Sequence, residues 1–385
     1  MIGRKKIYQL SKLSFYGQWT ITHKISRDVI NFSMSEPFFP MPANIRNAAQ
    51  EIVLSEDLSY TEPAGLLPLR KLIAQENNLP EEGYEVSITG GASEALFSGV
   101  VALSEPGDEI LIPAIGNPSY EVVVNLAECV PIRYPIQIDK PDPVLPEQIS
   151  KFMTPKTSMI ILNSPMDPTG QVIDKHVLHT IADVCHDKGI LCMVDESYRE
   201  ITYESKTFSL SGYNPYVITF TSVSKLFDMS GWRIGWIIGS EEVIDLVNFL
   251  RNYSTTCAPT ISQRVAMRIL EGTGREQRDK ILSILANRKK LMRDLLMQHE
   301  FYASTAPRGG YFLFFNYQEY CEKKIKSIDF SKLLLEKYKV AVVPGIYFGE
   351  TGEGYIRIAF ATDEKSIQEG FARIRQCLTD LNKKN

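Results

Sequence analysis

Apolar residues along this chain fall into two rhythms. Short apolar-rich runs lie at 85–89, 109–113, 159–162, 190–194 and 216–221. Runs of that length and density read as strands covered on both faces. Longer stretches between them, such as 93–103 and 175–188, space their apolar residues as helices do. Strand and helix in alternation predict an α/β fold with a mostly parallel central sheet covered by helices. Pro106-Gly107-Asp108 marks a turn into the run that follows it.

The pattern changes in the last hundred residues. A long helix-like stretch at 275–299 leads to Gly309-Gly310-Tyr311-Phe312-Leu313-Phe314, then a helix, a short strand at 355–359 and a closing helix at 364–378. This predicts a smaller α+β domain. The expected division is residues 1–45 as an N-terminal segment belonging to the small domain, 46–285 as the large domain, and 286–385 as the small C-terminal domain. A chain of 385 residues accommodates that at about 150 residues per domain. Phe15-Tyr16-Gly17-Gln18-Trp19 either covers a pocket or packs on the small domain.

Composition narrows the function. With 44% hydrophobic and 23% charged residues and a net charge of −4, the chain reads as an ordinary globular protein. An acidic balance argues against a nucleic-acid-binding footprint. The six cysteines are scattered without a CxxC pair, so neither a zinc site nor a disulfide framework is indicated. Basic residues near the start (Arg4, Lys5, Lys6, Lys12) are not followed by an apolar signal core. No apolar run reaches the ~18 residues of a membrane span. A cytoplasmic enzyme is the expectation.

The chemistry centres on Lys225, in Thr221-Ser222-Val223-Ser224-Lys225. Eight residues on comes Arg233, in Gly231-Trp232-Arg233-Ile234-Gly235-Trp236. A lysine beside small hydroxyl residues, with an arginine between glycines, fits a buried amine next to a phosphate. That is what holding pyridoxal 5′-phosphate as a Schiff base requires. Gly90-Gly91-Ala92-Ser93 follows a strand and opens a helix, whose first N–H groups form a phosphate cradle; the same glycines also serve as a plain tight turn. Asn163 to Gly170 carries two prolines and a glycine in a rigid loop at a strand end, where open α/β sheets bind ligands. Asp195 closes an apolar strand and needs a partner: a pyridinium N–H on one reading, a helix N terminus on the other. Tyr198 follows within reach of the cofactor's phenolic oxygen.

In this order the motifs resemble the fold-type I, class I/II aminotransferases (the aspartate aminotransferase family), from about Ile30 to the C terminus. The resemblance implies that Lys225 is the catalytic aldimine lysine and that Asp195 pairs with the pyridine nitrogen. It implies that Tyr198 binds the phenolate oxygen, and that Gly91, Ala92, Ser93, Ser222 and Arg233 hold the phosphate. It makes Arg357 the α-carboxylate arginine and Tyr60 the tyrosine that reaches a neighbouring subunit's phosphate in a homodimer. A surface arginine and a core tyrosine are the plain alternatives for the last two.

Three positions depart from the family pattern. Asn117 stands where an aromatic usually stacks on the ring, Asp167 where an asparagine usually donates to the phenolate, and Ser35 where a glycine precedes Glu36-Pro37 near the substrate carboxylate. The expected function is amino transfer between an amino acid and a 2-oxo acid by a ping-pong route. Asn117 and Asp167 keep a lyase, cyclase or oxidase acting on a specialised amino acid as the alternative. A regulator that reuses this fold without catalysis is the third reading, disfavoured by the acidic charge and the short N-terminal extension.

Overall fold

The computed structural model describes residues 28–36, 39, 41–138, 140–203, 208–301 and 307–383. The aromatic stretch at 15–19 and the basic residues near the start lie outside them. The strands are β1 (Ile30–Asn31), β2 (Tyr84–Thr89), β3 (Glu109–Pro113), β4 (Val130–Tyr134), β5 (Thr157–Asn163), β6 (Leu191–Asp195), β7 (Val217–Ser222), β8 (Gly235–Ser240), β9 (Phe312–Asn316), β10 (Val340–Ala341), β11 (Val343–Pro344) and β12 (Tyr355–Ala359). The main sheet has the order β2-β8-β7-β6-β5-β3-β4. Only β8 runs against the others, pairing antiparallel with both β2 and β7.

Alternation along these strands splits their side chains between two cores. Ile110, Ile112, Met159, Ile161 and Met193 face helices Ala92–Leu103 and Glu241–Ser254. Leu111, Ile160, Leu162, Cys192 and Val194 face helix Lys175–Lys188. With both faces covered, the inner strands β3, β5 and β6 are apolar along most of their length, which is why they read as continuous runs. Helix Lys175–Lys188 stops at Gly189, whose φ of +67° is the left-handed cap that a side chain resists.

A second sheet, β11-β12-β9, is antiparallel, and β1 pairs in parallel with β10. Helix Arg275–Gln298 runs through the expected boundary between residues 285 and 286. The sequence pattern overlooks β4 and β8. β4 is an edge strand broken by Pro131 and Arg133. β8 hides in a glycine- and tryptophan-containing stretch that reads as a phosphate motif.

Candidate active site

The carboxyl ends of β3, β5, β6 and β7 deliver Asn117, Asn163, Asp195, Ser222 and Lys225 to one cavity of about 780 Å³. Open parallel sheets gather ligands at this edge. Ser35, Ala92, Ser93, Asp167, Tyr198 and Arg233 also line the cavity. Gly91 forms the turn beneath Ala92, and Tyr60 and Arg357 lie off the wall.

Lys225 Nζ donates to the backbone carbonyl of Ser35 at 2.9 Å. Burial pushes this amine below its ordinary range, and Arg357 pushes the same way; Asp167, Glu36 and Asp195 oppose them. An amine so placed gives up its proton more readily than a solvated lysine does. Ser35 contributes through its carbonyl, which also accepts from the Tyr311 hydroxyl at 2.7 Å.

Asp195 is buried at the end of β6. It accepts from the Tyr120 hydroxyl at 2.7 Å and from the Ser197 N–H at 2.9 Å. Burial raises its carboxyl above the usual range, Asp167 adds to the rise, and the Ser197 and Tyr120 hydrogen bonds hold it down. Tyr198 packs edge-on against Tyr311 and Phe312, with ring centroids 5.4 and 5.3 Å away. Burial also holds the Tyr198 phenol well above its ordinary range.

At the other end of the cavity the backbone does the work. Gly91 has φ +90°, and a Cβ there would come within 2.6 Å of Arg233 Nη2. A Cβ on Gly235 would meet the Thr221 carbonyl oxygen at 2.5 Å. The glycines thus let three chain segments close up around the N terminus of helix Ala92–Leu103. Arg233 lies over the turn, donating to the carbonyls of Ser230 and Gly90 at 2.8 Å each. Glu94 braces the turn from behind by accepting from the Gly90 N–H. Glu94 is held in turn by Arg251, whose Nη1 donates to Ser87 Oγ at 2.7 Å and to the Pro63 carbonyl at 2.8 Å.

Arg357 Nη1 meets Asp167 Oδ1 at 2.8 Å, with the two side chains only 3% and 5% exposed. Asn117 Nδ2 donates to the other oxygen, Oδ2, at 3.3 Å, while Asn117 Oδ1 accepts from the Ser119 N–H. Two departures seen in the sequence are therefore joined to each other and to Arg357. Tyr60 is 87% exposed. Tyr120 and Tyr311, given no role in the sequence reading, are additional side chains that hold the site; one lies in the first turn of helix Ser119–Leu126 and the other just before β9, and neither carries a motif of its own.

A cationic turn at one end, an amine in the middle and a buried acid beside it fit pyridoxal 5′-phosphate, whose phosphate, aldehyde and ring nitrogen need those groups. Residues 27–374 match the family model for aminotransferase class I and II. The chain belongs to the class I and II aminotransferases. This aminotransferase is 32% identical to a probable aspartate aminotransferase of Methanocaldococcus jannaschii, over 91% of this chain and 93% of that protein. It superposes on an aromatic aminotransferase of Pyrococcus horikoshii with a TM-score of 0.86 at 29% identity, covering 96% of this chain and 99% of that one. Against an aspartate aminotransferase of Thermus thermophilus crystallised with maleate the TM-score is 0.85 at 27% identity, with 98% and 97% covered. It is a pyridoxal-phosphate enzyme of amino transfer; the lyase, cyclase or oxidase alternative is not favoured.

Proposed function

We propose that this aminotransferase exchanges an amino group between an L-amino acid and a 2-oxo acid in two half-reactions at one site, with Lys225 as the group that holds the cofactor and moves the proton. The placement of the Lys225 amine carries this reading: it is half-buried, shifted toward its neutral form, and beside Asp195 and Tyr198 in one cavity. Pyridoxal 5′-phosphate, when bound, supplies an aldehyde that condenses with amines and a ring that accepts the electron pair left at the substrate's Cα.

The chain's own residues then divide the work. The N–H groups of Ala92 and Ser93, the Ser222 hydroxyl and Arg233 bind the phosphate, with Gly91 providing the close approach. Asp195 accepts from the ring nitrogen and is kept in place by Tyr120 and Ser197. Tyr198 donates to the phenolic oxygen. Asn117 and Asp167 border the ring, and Ser35 closes the cavity over Lys225. Lys225, as a neutral amine, is the group that would hold the proton given up by the substrate's Cα. Arg357, which the family pattern places at the substrate's carboxyl end, shares its charge there with Asp167.

We read the exposure of Tyr60 as belonging to a homodimer, in which it reaches the phosphate of a second copy. Leu54, Phe249 and Tyr253, also exposed, support an apolar contact between copies. The division at residues 45 and 285 into a large domain and a discontinuous small one belongs to the same reading, supported by the separate β11-β12-β9 sheet. A cytoplasmic location is supported by six free thiols. Among the described residues no helix is long and apolar enough to cross a membrane.

The test is half-reaction spectroscopy on the reconstituted protein against a panel of amino acids. An amino-acid substrate should bleach the cofactor's visible absorbance, a 2-oxo acid should restore it, and Lys225→Ala should do neither. Turnover without any 2-oxo acid, with ammonia released or oxygen consumed, would overturn the reading.

A further inference from the structure

Arg357 is held from several sides by this chain's own groups. Nη1 donates to Asp167 Oδ1 at 2.8 Å and Nη2 to the Ser33 carbonyl at 3.1 Å. The guanidinium carbon lies 4.4 Å from the Phe312 ring centroid and 5.0 Å from that of Phe348. Arg357 is not on the cavity wall, whereas Asp167 is. A ligand at this end of the cavity therefore meets a carboxylate already paired with its arginine. Asn117 donates to the second oxygen of that carboxylate, and the Asp167 N–H donates to Asn163 Oδ1 at 2.7 Å, so both the side chain and the backbone of Asp167 are anchored.

A buried guanidinium already paired with a buried carboxylate offers little net field to a second carboxylate. An arriving anion must share Arg357 with Asp167 and sit close to a like charge. An uncharged group of the same shape meets no such repulsion and can receive or donate a hydrogen bond there. We propose that Asp167 is a specificity-determining residue: it neutralises Arg357 from within, so the site gives little preference to a ligand carboxylate over an uncharged group of the same shape. Primary amines and amino-acid amides are then accepted as amino donors alongside free amino acids.

The transfer balances without any outside oxidant. The donor's C–N and C–H bonds break and its carbon leaves as a carbonyl, while its NH2 group and that hydrogen end on the 2-oxo acid's keto carbon, whose oxygen passes through water to the donor carbon. The inference rests on the proposed function, because the donor must use the same Lys225 site.

The test uses the holoenzyme with propionate as an unreactive carboxylate and propanamide as its uncharged twin. Binding is followed by calorimetry and by perturbation of the cofactor's absorbance. In the unaltered protein the two dissociation constants should agree within about threefold. Asp167→Asn keeps an oxygen acceptor for Arg357 but removes the charge. It should bind propionate at least about tenfold more tightly than the unaltered protein does, the gap between a charge-assisted and a neutral hydrogen bond, with propanamide unchanged. An unaltered protein that prefers propionate tenfold or more overturns the proposal, and this comparison needs no variant to fold. No gain in Asp167→Asn, or no saturable binding of either probe to either protein, overturns it equally. A holoenzyme that exchanges amino groups normally yet gives these results refutes only the role of Asp167. Failure of Lys225 to take up the cofactor refutes the function itself.

Discussion

One arginine lines the cavity and another lies just off its wall, and the chain treats them in opposite ways. Arg233 is exposed, sits in a left-handed backbone conformation with φ +52°, and is aimed by two backbone carbonyls. Among the described residues it has no carboxylate partner. Arg357 is buried, stacked on aromatic rings and paired with Asp167. The carbonyls orient the first without consuming its charge, whereas a carboxylate cancels the second. The same residue type thus serves once as an open anion receptor and once as part of a closed, nearly neutral unit.

The largest effect should come from breaking the closed unit. Arg357→Met leaves Asp167 buried without its partner and should lower unfolding free energy by about 3–5 kcal/mol in urea denaturation. Adding Asp167→Leu should recover most of that loss, because replacing both partners by apolar groups is close to neutral. A silent single substitution would remove the contrast between the arginines.

Next comes the open receptor. Arg233→Gln should weaken cofactor binding about 10–100-fold in an absorbance titration, the worth of a charge-assisted hydrogen bond. Stability of the cofactor-free protein should stay within about 0.5 kcal/mol, as for other exposed sites.

Asp195 gives a smaller, pH-dependent effect. Its folded-state value is raised by burial, so the native state holds a proton over a range where the unfolded chain has released it. Stability therefore falls as pH rises through that range, and the penalty persists at neutral pH. Asp195→Asn should melt higher than the unaltered cofactor-free protein at pH 7, with the gap closing below about pH 4, the ordinary aspartate value. Lys225→Met should behave in the mirror sense. The native amine sheds its proton early, so the gain at pH 7 should shrink as pH approaches about 10.4. The smallest effect belongs to Tyr60→Ala, within about 0.5 kcal/mol in stability for so exposed a side chain, with cofactor affinity lowered only where a dimer forms.

Much of this was legible in the sequence wherever the signal was local. β3, β12 and helix Lys175–Lys188 match the predicted limits because burial on both sheet faces or helical spacing marks them. Lys225, Asp195 and Asp167 were found because each stands at a strand end or in a loop with its own motif. The pairing of Asp167 with Arg357 was not legible, since 190 positions separate them and only the meeting of the two sheets brings them together. Asp167 lines the cavity, and its carboxylate also has one oxygen on an arginine from β12 and the other on Asn117. Nor could spacing tell that Ser35 would act through its carbonyl, 190 positions from Lys225, or that Tyr120 would donate to Asp195, 75 positions away, because both contacts exist only once the chain has folded.

The brace behind the Gly91 turn has its own consequence. Arg251 and Glu94 tie the cradle to helix Glu241–Ser254 before any anion arrives, so the turn is ordered when the protein folds and not when the ligand binds. Little freedom is left to lose at the moment of capture. Cofactor affinity thereby becomes a gauge of how firmly the neighbouring helix on the same face of the sheet is docked, and a loosened Arg251 should be felt at the phosphate without touching it.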